Sequence, residues 1–445
     1  MSVSAWIDRN ILSLGREMRL SYLPPLMVYV AAGISGLTGI VGTFFVKEYL
    51  GLSAEFLAAL AFWAGIPWAL KMPLGHLVDL LWRHKAGLVY LGASLVAASL
   101  CIMVGLISAT EQMRAIMPVP AWYVVAVLLS PIGYVLQDVV ADAMTVEAVP
   151  RIDPKGQPIA DAERKLMNTT MQTLGRVAII GGSLLVSIAN LVMFSDVQSM
   201  PQDAKAAVYA RIYAMALVIP VVSVAGVVLQ GFLVRRELRR LVALGMSAAE
   251  IDRVMPGRSG ETRPNWWILG GSLAFVVFSL GVGLSDNRYS AEIVFAGSMA
   301  IVLFLISRIT RALDYEARRT LIGTALVIFV FRAIPGPGEG ISWWMIDELK
   351  FDQQFFALLS LIGASLTLAG MFIFRRFMAE RSIAYVVGAL TVFGTLLSLP
   401  TLALYYGVHH WTSAMTGGVV DARFIAIVNT ALESPLGQIA MIPML

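Results

Sequence analysis

Three acids lie in the stretch Leu136-Gln137-Asp138-Val139-Val140-Ala141-Asp142-Ala143-Met144-Thr145-Val146-Glu147, which decides the fold because it belongs to an apolar run over residues 121–147. A charge near the centre of a bilayer is unfavourable by at least ~2.5 kcal/mol, so such a side chain usually faces a partner or a water-filled cavity. At about 100° per residue, Asp138 and Asp142 lie about 40° apart on one helical face, and Glu147 lies nearly opposite Asp138. The stretch predicts a membrane-spanning helix that carries either a structural ion pair or a transport site.

The composition of the 445-residue chain indicates a membrane protein. Hydrophobic residues make up 58% and charged residues 14%, and the mean hydropathy is +0.77, whereas soluble domains carry about 25% charged residues. Runs of about 20 apolar residues can cross the hydrocarbon core of a bilayer. Twelve such runs lie near residues 24–46, 54–74, 86–109, 121–147, 167–195, 209–234, 266–285, 291–307, 320–345, 354–374, 384–406 and 422–445. We therefore predict an all-α polytopic membrane protein.

The distribution of Lys and Arg predicts the orientation. With the amino terminus in the cytoplasm, the cytoplasmic stretches hold 23 of the 33 basic residues and the opposite stretches hold 7. Such an excess on one side is what the positive-inside rule describes. We expect an integral protein of the plasma membrane, which is the inner membrane in a bacterium. The net charge of +4 then reports topology and does not indicate a nucleic-acid partner.

The sequence offers little support for other functional classes. Cys101 is the single cysteine, and the four His residues lack ligand spacing, so we predict no disulfide, no metal site and no cofactor. The phosphate-binding pattern G-x-x-x-x-G-K-[ST] is absent, which argues against transport driven directly by ATP. No pairing of a nucleophile with a base indicates an enzyme.

Two loops between predicted spans resemble each other. The first runs from Gly75 through Asp79 to the basic residues Arg83 and Lys85. The second, over residues 370–381, also begins with Gly and continues into a basic cluster, but it lacks the acid. Small residues let helices pack closely, and an acid beside bases can hold helix ends together. The first loop therefore predicts a cytoplasmic gate, with a merely topogenic basic loop as the alternative.

The first loop resembles a signature of the major facilitator superfamily, G-x-x-x-D followed by a basic cluster between the second and third helices. Trp82 stands where that signature has a second Gly. If the two loops are related copies, the run 320–345 corresponds to core helix seven and the run 422–445 to core helix ten. We then expect a carboxy-terminal truncation, with a complete twelve-helix protein without an insert as the alternative.

This assignment of the apolar runs to core helices divides the chain into four parts. They are an amino-terminal six-helix half over 1–234, a cytoplasmic linker over 235–265, an inserted helix hairpin over 266–310 and an incomplete carboxy-terminal half over 311–445.

Two motifs make the resemblance more specific. Lys71-Met-Pro73-Leu-Gly75 with Asp79, and Asp138-Val-Val-Ala-Asp142-Ala with Glu147, resemble the K-x-P-x-G-x-x-x-D and D-V-x-A-D-A-x-x-x-E blocks of the folate–biopterin transporter family. Residues 435–443 are similar to helix ten of that family. The insert is similar to that of muropeptide permeases, which share a Q-D-x-x-x-D block.

The resemblance implies a secondary transporter that works by alternating access as a monomer. It implies a small-molecule substrate, a folate- or pterin-like anion, moved across the lipid bilayer and coupled to protons. A permease for a muropeptide or another amphipathic metabolite is the first alternative. A non-transporting membrane receptor or assembly scaffold on the same fold is the second.

The resemblance also implies which residues act, because superfamily transporters line a central cavity with helices one, four, seven and ten. The unusual membrane charges on these helices are Asp138, Asp142, Arg332, Glu339 and Glu433. Arg332 or Arg176 would attract a substrate carboxylate, and Asp138 or Asp142 would exchange the coupling proton. Arg176, in the fifth run, lies level with Asp138, so a salt bridge to Arg176 is the structural alternative. Glu147 is expected at the gate, together with Lys71 and the first loop.

Two further segments carry local signals. Two Pro and three Gly within residues 335–340 cannot continue a regular helix, and broken helices often line transporter cavities. In the linker, Ser247 and Glu250 fit a capping box that opens a short helix. We expect Leu241, Leu244, Ile251 and Met255 to press on the membrane surface.

Overall fold

The computed structural model describes residues 8, 12–153, 155–255, 263–285, 287–332, 338–374 and 381–437. The predicted basic cluster of the second loop, the Pro and Gly residues at 335–337 and the last part of the helix-ten motif lie outside these ranges.

The described chain is almost entirely helical, and its main helices follow the predicted spans. We number them as α1 Leu20–Leu50, α2 Ala54–Leu80, α3 Trp82–Ser108, α4 Val119–Ala148, α5 Asp161–Met193, α6 Gln202–Ala243, α7 Trp266–Gly283, α8 Ser290–Ile309, α9 Tyr315–Arg332, α10 Gly338–Asp347, α11 Gln353–Ile373, α12 Ile383–Tyr405 and α13 Ala422–Gly437. Shorter helices lie at Ser13–Arg16, Thr110–Ile116, Ala248–Val254 and Val408–Met415.

Each of the twelve predicted runs coincides with a helix of the structure. Within the described ranges, nine helices are long and apolar enough to cross a bilayer, namely α1 to α7, α11 and α12. The other three runs correspond to α8, to α9 with α10, and to α13. The prediction of an all-α polytopic membrane protein is confirmed.

Two helices are irregular near the middle of the bundle. In α1, Ser35–Thr38 forms a 3₁₀ turn between two α-helical stretches, a feature that often marks a hinge. In α2, the regular helix is interrupted at Leu70. Pro73 has no N–H and cannot donate to the carbonyl oxygen of Ala69, so the helix lacks one backbone hydrogen bond at this point. The interruption places Lys71 at the start of the second segment of α2.

Small residues allow the helices of the amino-terminal half to approach closely. A Cβ at Gly33 of α1 would collide with the carbonyl oxygen of Ile179 in α5, and a Cβ at Gly92 of α3 would lie 2.5 Å from the carbonyl oxygen of Gly133 in α4. Because lipid tails are as apolar as the side chains, such close packing is a main source of helix association in a membrane.

The helices form two groups that meet along α5 and α11. The first group comprises α1 to α6, and the second comprises α9 to α13, in which Trp344 and Met345 of α10 pack with Phe351 and Phe355. The helices α1 and α2 also contact α11 and α10. The helices α7 and α8 form a hairpin, in which the hydroxyls of Ser279 and Ser298 lie 3.3 Å apart. This hairpin packs on α2, where the backbone N–H of Asn265 donates to His76 Nε2 at 2.8 Å.

Two ends of the bundle are distinguished by their residues. We call the basic end the one where Lys85, Glu147 and Arg240 lie, and the opposite end the one where Lys47 and Asp347 lie. The two groups touch at the opposite end, because Lys47 Nζ in α1 lies 2.7 Å from Asp347 Oδ2 in α10.

A hydrogen-bond network adds to this contact between the groups. Gln353 Nε2 in α11 donates to the hydroxyl of Tyr209 in α6 at 2.7 Å and to Glu48 Oε1 in α1 at 3.4 Å. The ring of Phe44 in α1 meets that of Phe356 in α11 edge to face, with centroids 5.9 Å apart. The opposite end is therefore closed by contacts from both groups.

The linker between α6 and α7 folds against the basic end. The predicted capping box is confirmed, since Ser247 Oγ accepts from the N–H of Glu250 and Glu250 Oε2 accepts from the N–H of Ser247. The prediction that Leu241 and Ile251 press on the membrane surface is wrong. Both are buried against Ile152 in a small apolar cluster, because burial within the protein removes the same apolar surface from water.

Candidate functional site

The acids of α4 lie beside the interruption of α2. Lys71 Nζ is 2.6 Å from Asp138 Oδ2 and 3.0 Å from Asp142 Oδ2. The two acids are one helical turn apart and so project from the same face of α4. Tyr29 of α1 donates its hydroxyl to Asp142 Oδ1 at 2.7 Å. We call these four residues the carboxylate cluster.

The carboxylate cluster is open on one side. The side chain of Asp138 is only 17% exposed, whereas those of Lys71 and Asp142 are 45% and 47% exposed. Two carboxylates share one ammonium group, so the fully ionised cluster carries a net charge of −1. The nearby charge of Arg176 offsets part of this excess without an ion pair. A cluster with more carboxylates than ammonium groups and with an exposed side can exchange a proton or bind a charged ligand.

The partner of the acids differs from the expected one. Arg176 was expected to pair with Asp138 or Asp142. Its charge acts on Asp138 and Tyr29, but it forms no ion pair with any residue that the structure describes. Its neighbour Gly175 packs against the ring of Tyr29, where a Cβ would lie 2.9 Å from Cε2. The ammonium group comes from Lys71, which the sequence analysis had placed at the gate.

Glu147 lies in a separate ion pair at the basic end. Its Oε1 is 2.7 Å from Lys85 Nζ, and both side chains are nearly buried, at 13% and 12% exposed. Gln230 of α6 donates to the other oxygen of Glu147 at 3.0 Å, and Lys85 also lies over the ring of Trp82. The pair joins α3, α4 and α6, which all belong to one helical group.

The other residues of the first loop are less engaged. Asp79 and Arg83 are exposed, and neither has an ion pair with another described residue. Gly75 lies where α2 passes α4, and a Cβ there would be 3.9 Å from a methyl of Val139. The described residues thus support close packing at Gly75, and the gate role of Asp79 and Arg83 stays a prediction.

The predicted site residues of the second group are only partly described. The side chains of Arg332 and Glu339 lie outside the described part of the chain. The expected interruption of the helix at the Pro and Gly residues of 335–337 also lies outside the described ranges, which stop at Arg332 and resume at Gly338. Glu433 of α13 is exposed, and it accepts a bond from Asn429 Nδ2 at 3.4 Å.

A cavity that the sequence analysis missed lies between the two groups. Its volume is about 550 Å³. Its lining includes small residues and the following polar ones: Thr43, Ser183, Ser187, Asn190, Ser342, Ser360 and Thr367. The side chain of Asn190 is buried, and its Oδ1 has no hydrogen-bond partner within the described ranges. Asn190 thus brings a buried, unsatisfied amide oxygen to the wall of the cavity, and such a group gains stability if it finds a hydrogen-bond donor.

A signal for this cavity was present in the sequence. Ser183, Ser187 and Asn190 follow one another at spacings of four and three residues in α5, which puts them on one helical face. Hydroxyl and amide side chains are common in membrane helices, where they also bond to the backbone of their own helix. The spacing of these three polar residues therefore indicates a cavity less clearly than a charged residue in an apolar run does.

These features define a polytopic membrane protein with a polar cavity between two helical groups and a half-open charged cluster, an arrangement suited to membrane transport. The model of the BT1 family matches residues 32–445, and the chain belongs to this family. Over 440 residues it is 22% identical to a folate-biopterin transporter of Synechocystis sp., and the match covers 98% of this chain and 69% of that protein.

Two solved structures show a weaker likeness. One is a D-xylose-proton symporter, with a TM-score of 0.47, 13% identity, and coverage of 93% of this chain and 78% of that one. The other is the xylose transporter of E. coli in an inward-open conformation, with a TM-score of 0.36, 14% identity, and coverage of 96% and 89%.

Membership of the family confirms the folate–biopterin transporter family predicted from the two sequence motifs. The protein is a membrane-embedded transporter of a small molecule and not an enzyme.

Proposed function

We propose that the protein is a proton-coupled symporter that moves a folate- or pterin-like anion by alternating access. It acts as a monomer in the plasma membrane, or the inner membrane of a bacterium. The amino terminus and the basic end face the cytoplasm. The charge asymmetry of the loops supports this orientation, and the relative's name supports the substrate class.

The sharing of Lys71 by two carboxylates carries the proposal. With both acids ionised, Lys71 is held by Asp138 and Asp142, and the cluster has one negative charge in excess. A proton taken up by one acid makes the cluster neutral and leaves Lys71 with one carboxylate to compensate. Its exposed ammonium can then bind the carboxylate of a substrate. Proton and anion thus bind together, since each lowers the electrostatic penalty of the other in a medium of low dielectric.

The cavity between the groups supplies a place for the uncharged part of the substrate. A pterin ring presents several hydrogen-bond donors and acceptors, and the cavity offers hydroxyls and the free carbonyl of Asn190. Arg176 and Arg332 remain proposed sites for a further substrate carboxylate, and Glu339 and Glu433 remain proposed members of the cavity lining.

The division of the chain into halves supports alternating access. We propose residues 1–234 and 311–445 as the two moving halves, 235–265 as the linker and 266–310 as an inserted hairpin. The contacts at the opposite end hold the halves together, while Lys71 and Asp142 remain half exposed. This combination corresponds to an inward-facing state in which the cluster is reached from the cytoplasm.

Uptake into proteoliposomes tests this function. We expect a pH gradient to drive accumulation of labelled folate or pterin by the full-length protein, and the double variant Asp138→Asn with Asp142→Asn to lose this accumulation. The matched control is Asp161→Asn, which removes a fully exposed acid near the basic end. Undiminished accumulation by the double variant would show that the acids do not carry the coupling proton.

Ligand-induced thermal stabilisation separates the alternatives. Stabilisation by muropeptides and not by folates or pterins would change the substrate class while leaving the coupling chemistry intact. A chain that is stabilised by none of them and transports none of them would support the receptor or scaffold. The two carboxylates that share one lysine and the polar cavity argue against the scaffold, because a charge inside a membrane is unfavourable and a scaffold has no use for it.

A further inference from the structure

A second, larger cavity lies at the basic end, away from the carboxylate cluster. Its volume is about 1180 Å³. The ends of α1, α3, α4 and α6 and the linker helix Ala248–Val254 form its walls. From α4 it is lined by Val140 and Met144, which lie on the face away from Asp138 and Asp142. It shares no lining residue with the cavity between the helical groups.

The linker helix covers this cavity because it is fastened to the first helical group. Arg151, in the loop before α5, donates to the carbonyl oxygen of Arg253 in the linker helix at 3.1 Å. Arg240 of α6 holds that same loop by donating to the carbonyl oxygen of Asp153 at 2.9 Å. The apolar cluster of Ile152, Leu241 and Ile251 lies beneath these bonds. The cavity is thus a built recess under a docked helix and not an open loop surface.

The lining of the recess has an excess of positive charge. Six basic and three acidic side chains contribute to it. Lys85 is paired with Glu147, and Arg240 is paired with Glu237. Of the other four, Arg151 donates to the carbonyl oxygen of Arg253. The guanidinium groups of Arg19, Arg83 and Arg236 are exposed and form no ion pair with a described residue. Guanidinium groups that lack a carboxylate partner favour phosphate, which they bind through two parallel hydrogen bonds.

The inner wall of the recess is apolar. Besides Val140 and Met144, it includes Val227, Leu233 and Val234. These residues belong to membrane-spanning helices, whereas the arginines lie at helix ends, where the membrane meets water. A ligand that suits both parts has an anionic headgroup and a hydrocarbon chain.

We propose that the basic-end cavity binds an anionic phospholipid, with its phosphate among Arg19, Arg83 and Arg236 and an acyl chain along the apolar wall. The bound lipid joins α1 and α6 beneath the linker helix and so holds the linker on the amino-terminal half. A soluble phosphate would meet the same arginines but would leave the apolar wall uncovered.

Thermal unfolding of the purified full-length protein in detergent tests the proposal. Dioleoylphosphatidylglycerol is titrated as the anionic lipid, dioleoylphosphatidylcholine as the zwitterionic lipid and glycerol 3-phosphate as a soluble headgroup. We expect saturable stabilisation by the anionic lipid alone. Equal stabilisation by phosphatidylcholine would overturn the electrostatic part of the proposal, and equal stabilisation by glycerol 3-phosphate would overturn the choice of a lipid.

A pair of double variants locates the site. Arg19→Gln with Arg236→Gln removes two free charges from the recess, and we expect the affinity for the anionic lipid to fall on the order of 30-fold. The control is Arg235→Gln with Arg239→Gln, which removes two exposed charges of α6 that do not line the recess. If both double variants bind equally, the proposal is wrong. Should the first one unfold, the single variants Arg19→Gln and Arg236→Gln carry the same test, each with a smaller loss.

Discussion

Two sets of ion pairs in this protein differ in which helices they join. The pairs of Lys71 with Asp138 and Asp142 join α2 to α4 within one helical group. The pair of Lys47 with Asp347 joins α1 to α10 and thus connects the two groups. If the groups rock as rigid bodies, the first contacts persist through the cycle, and the second must break whenever the opposite end opens. The pairs of Lys71 with Asp138 and Asp142 are therefore suited to binding a proton. The pair of Lys47 with Asp347 is suited to controlling which side of the transporter is open.

The different exposure of the two sets of ion pairs agrees with these two roles. The Lys71 group lies within the bundle, where a change of one charge has a large energetic effect. Asp347 is 57% exposed, so water screens its attraction to Lys47. We therefore expect variants of the first group to change the chemistry of transport and variants of the second to change mainly the populations of states.

The largest expected effect is that of Lys71→Met. This variant leaves Asp138 and Asp142 without their ammonium group, and removal of one partner from a fully buried pair costs about 3–5 kcal/mol. Lys71 is 45% exposed, so we expect a smaller loss of stability but nearly complete loss of gradient-driven uptake. Uptake into proteoliposomes and the midpoint of thermal unfolding measure the two effects.

Two further variants make this result interpretable. Lys71→Arg keeps the charge and should retain part of the uptake, because a guanidinium can still bridge both acids. Lys155→Met removes an exposed charge from the loop before α5 and should change nothing. Wild-type uptake by Lys71→Met would mean that the shared ammonium has no part in coupling.

The next effect tests whether the amino-terminal half is rigid. Gly33→Ala places a methyl group against the carbonyl oxygen of Ile179, and overpacking of this kind destabilises by about 1–3 kcal/mol. Gly36→Ala, one turn along α1, meets no atom within 4 Å and is the matched control. We expect a lower midpoint of thermal unfolding for Gly33→Ala alone. Equal midpoints would indicate that α1 and α5 shift easily, and a rigid half would then be the wrong description.

A smaller effect is expected from Lys47→Gln. An exposed ion pair contributes up to about 1 kcal/mol, so its loss should shift the balance between inward- and outward-facing states by no more than about fivefold. The readout is alkylation of Ser360→Cys, a cavity residue, by an impermeant reagent in oriented vesicles of a Cys101→Ser background. We expect more labelling from the opposite side.

A charge exchange separates the ion pair from a local effect of Lys47. Lys47→Asp with Asp347→Lys restores an attraction between α1 and α10, and we expect labelling to return toward that of the parent protein. If the exchanged pair labels like Lys47→Gln, the attraction between the two side chains does not control the state.

The sequence was sufficient to predict features that depend on a residue and its near neighbours along one helix. Asp138 and Asp142 stood out because a carboxylate in an apolar run is rare, and Ser247 with Glu250 because the capping box spans only four residues.

Features that depend on contacts between helices could not be predicted in the same way. Arg176 and Lys71 are both basic residues near the depth of the acids, and only the packing of α2 against α4 selects Lys71. Leu241 and Ile251 are apolar on one face of a short segment, which suits a membrane surface and a protein cluster equally. Asn190 lines a cavity that exists only where two distant parts of the chain meet.

The smallest effect is expected at the linker helix, which contacts neither ion-pair group. Hydrogen bonds from the hydroxyl and the backbone N–H of Ser247 lower the pKa of Glu250 below its ordinary value. Because the pKa of the folded form is lowered, the stabilisation is complete above the ordinary pKa of the carboxyl and is lost as the pH falls through the lowered value. We expect Ser247→Ala to speed amide hydrogen exchange in residues 248–254 at neutral pH, and the difference from the parent protein to shrink in acid.

Ser382→Ala provides the control for this pH dependence. Ser382 caps α12 by accepting from the N–H of Tyr385, and no carboxylate completes that cap. Its loss should speed exchange at the start of α12 to the same extent at both pH values. Neither variant touches the contacts of Lys71 or of Lys47, so proton-driven uptake and the labelling of Ser360→Cys should both stay unchanged. A change in uptake with Ser247→Ala would mean that the linker helix takes part in the movement of the two helical groups. The linker would then act in transport beside the ion pairs of Lys71, which bind the proton, and the ion pair of Lys47, which sets the open side.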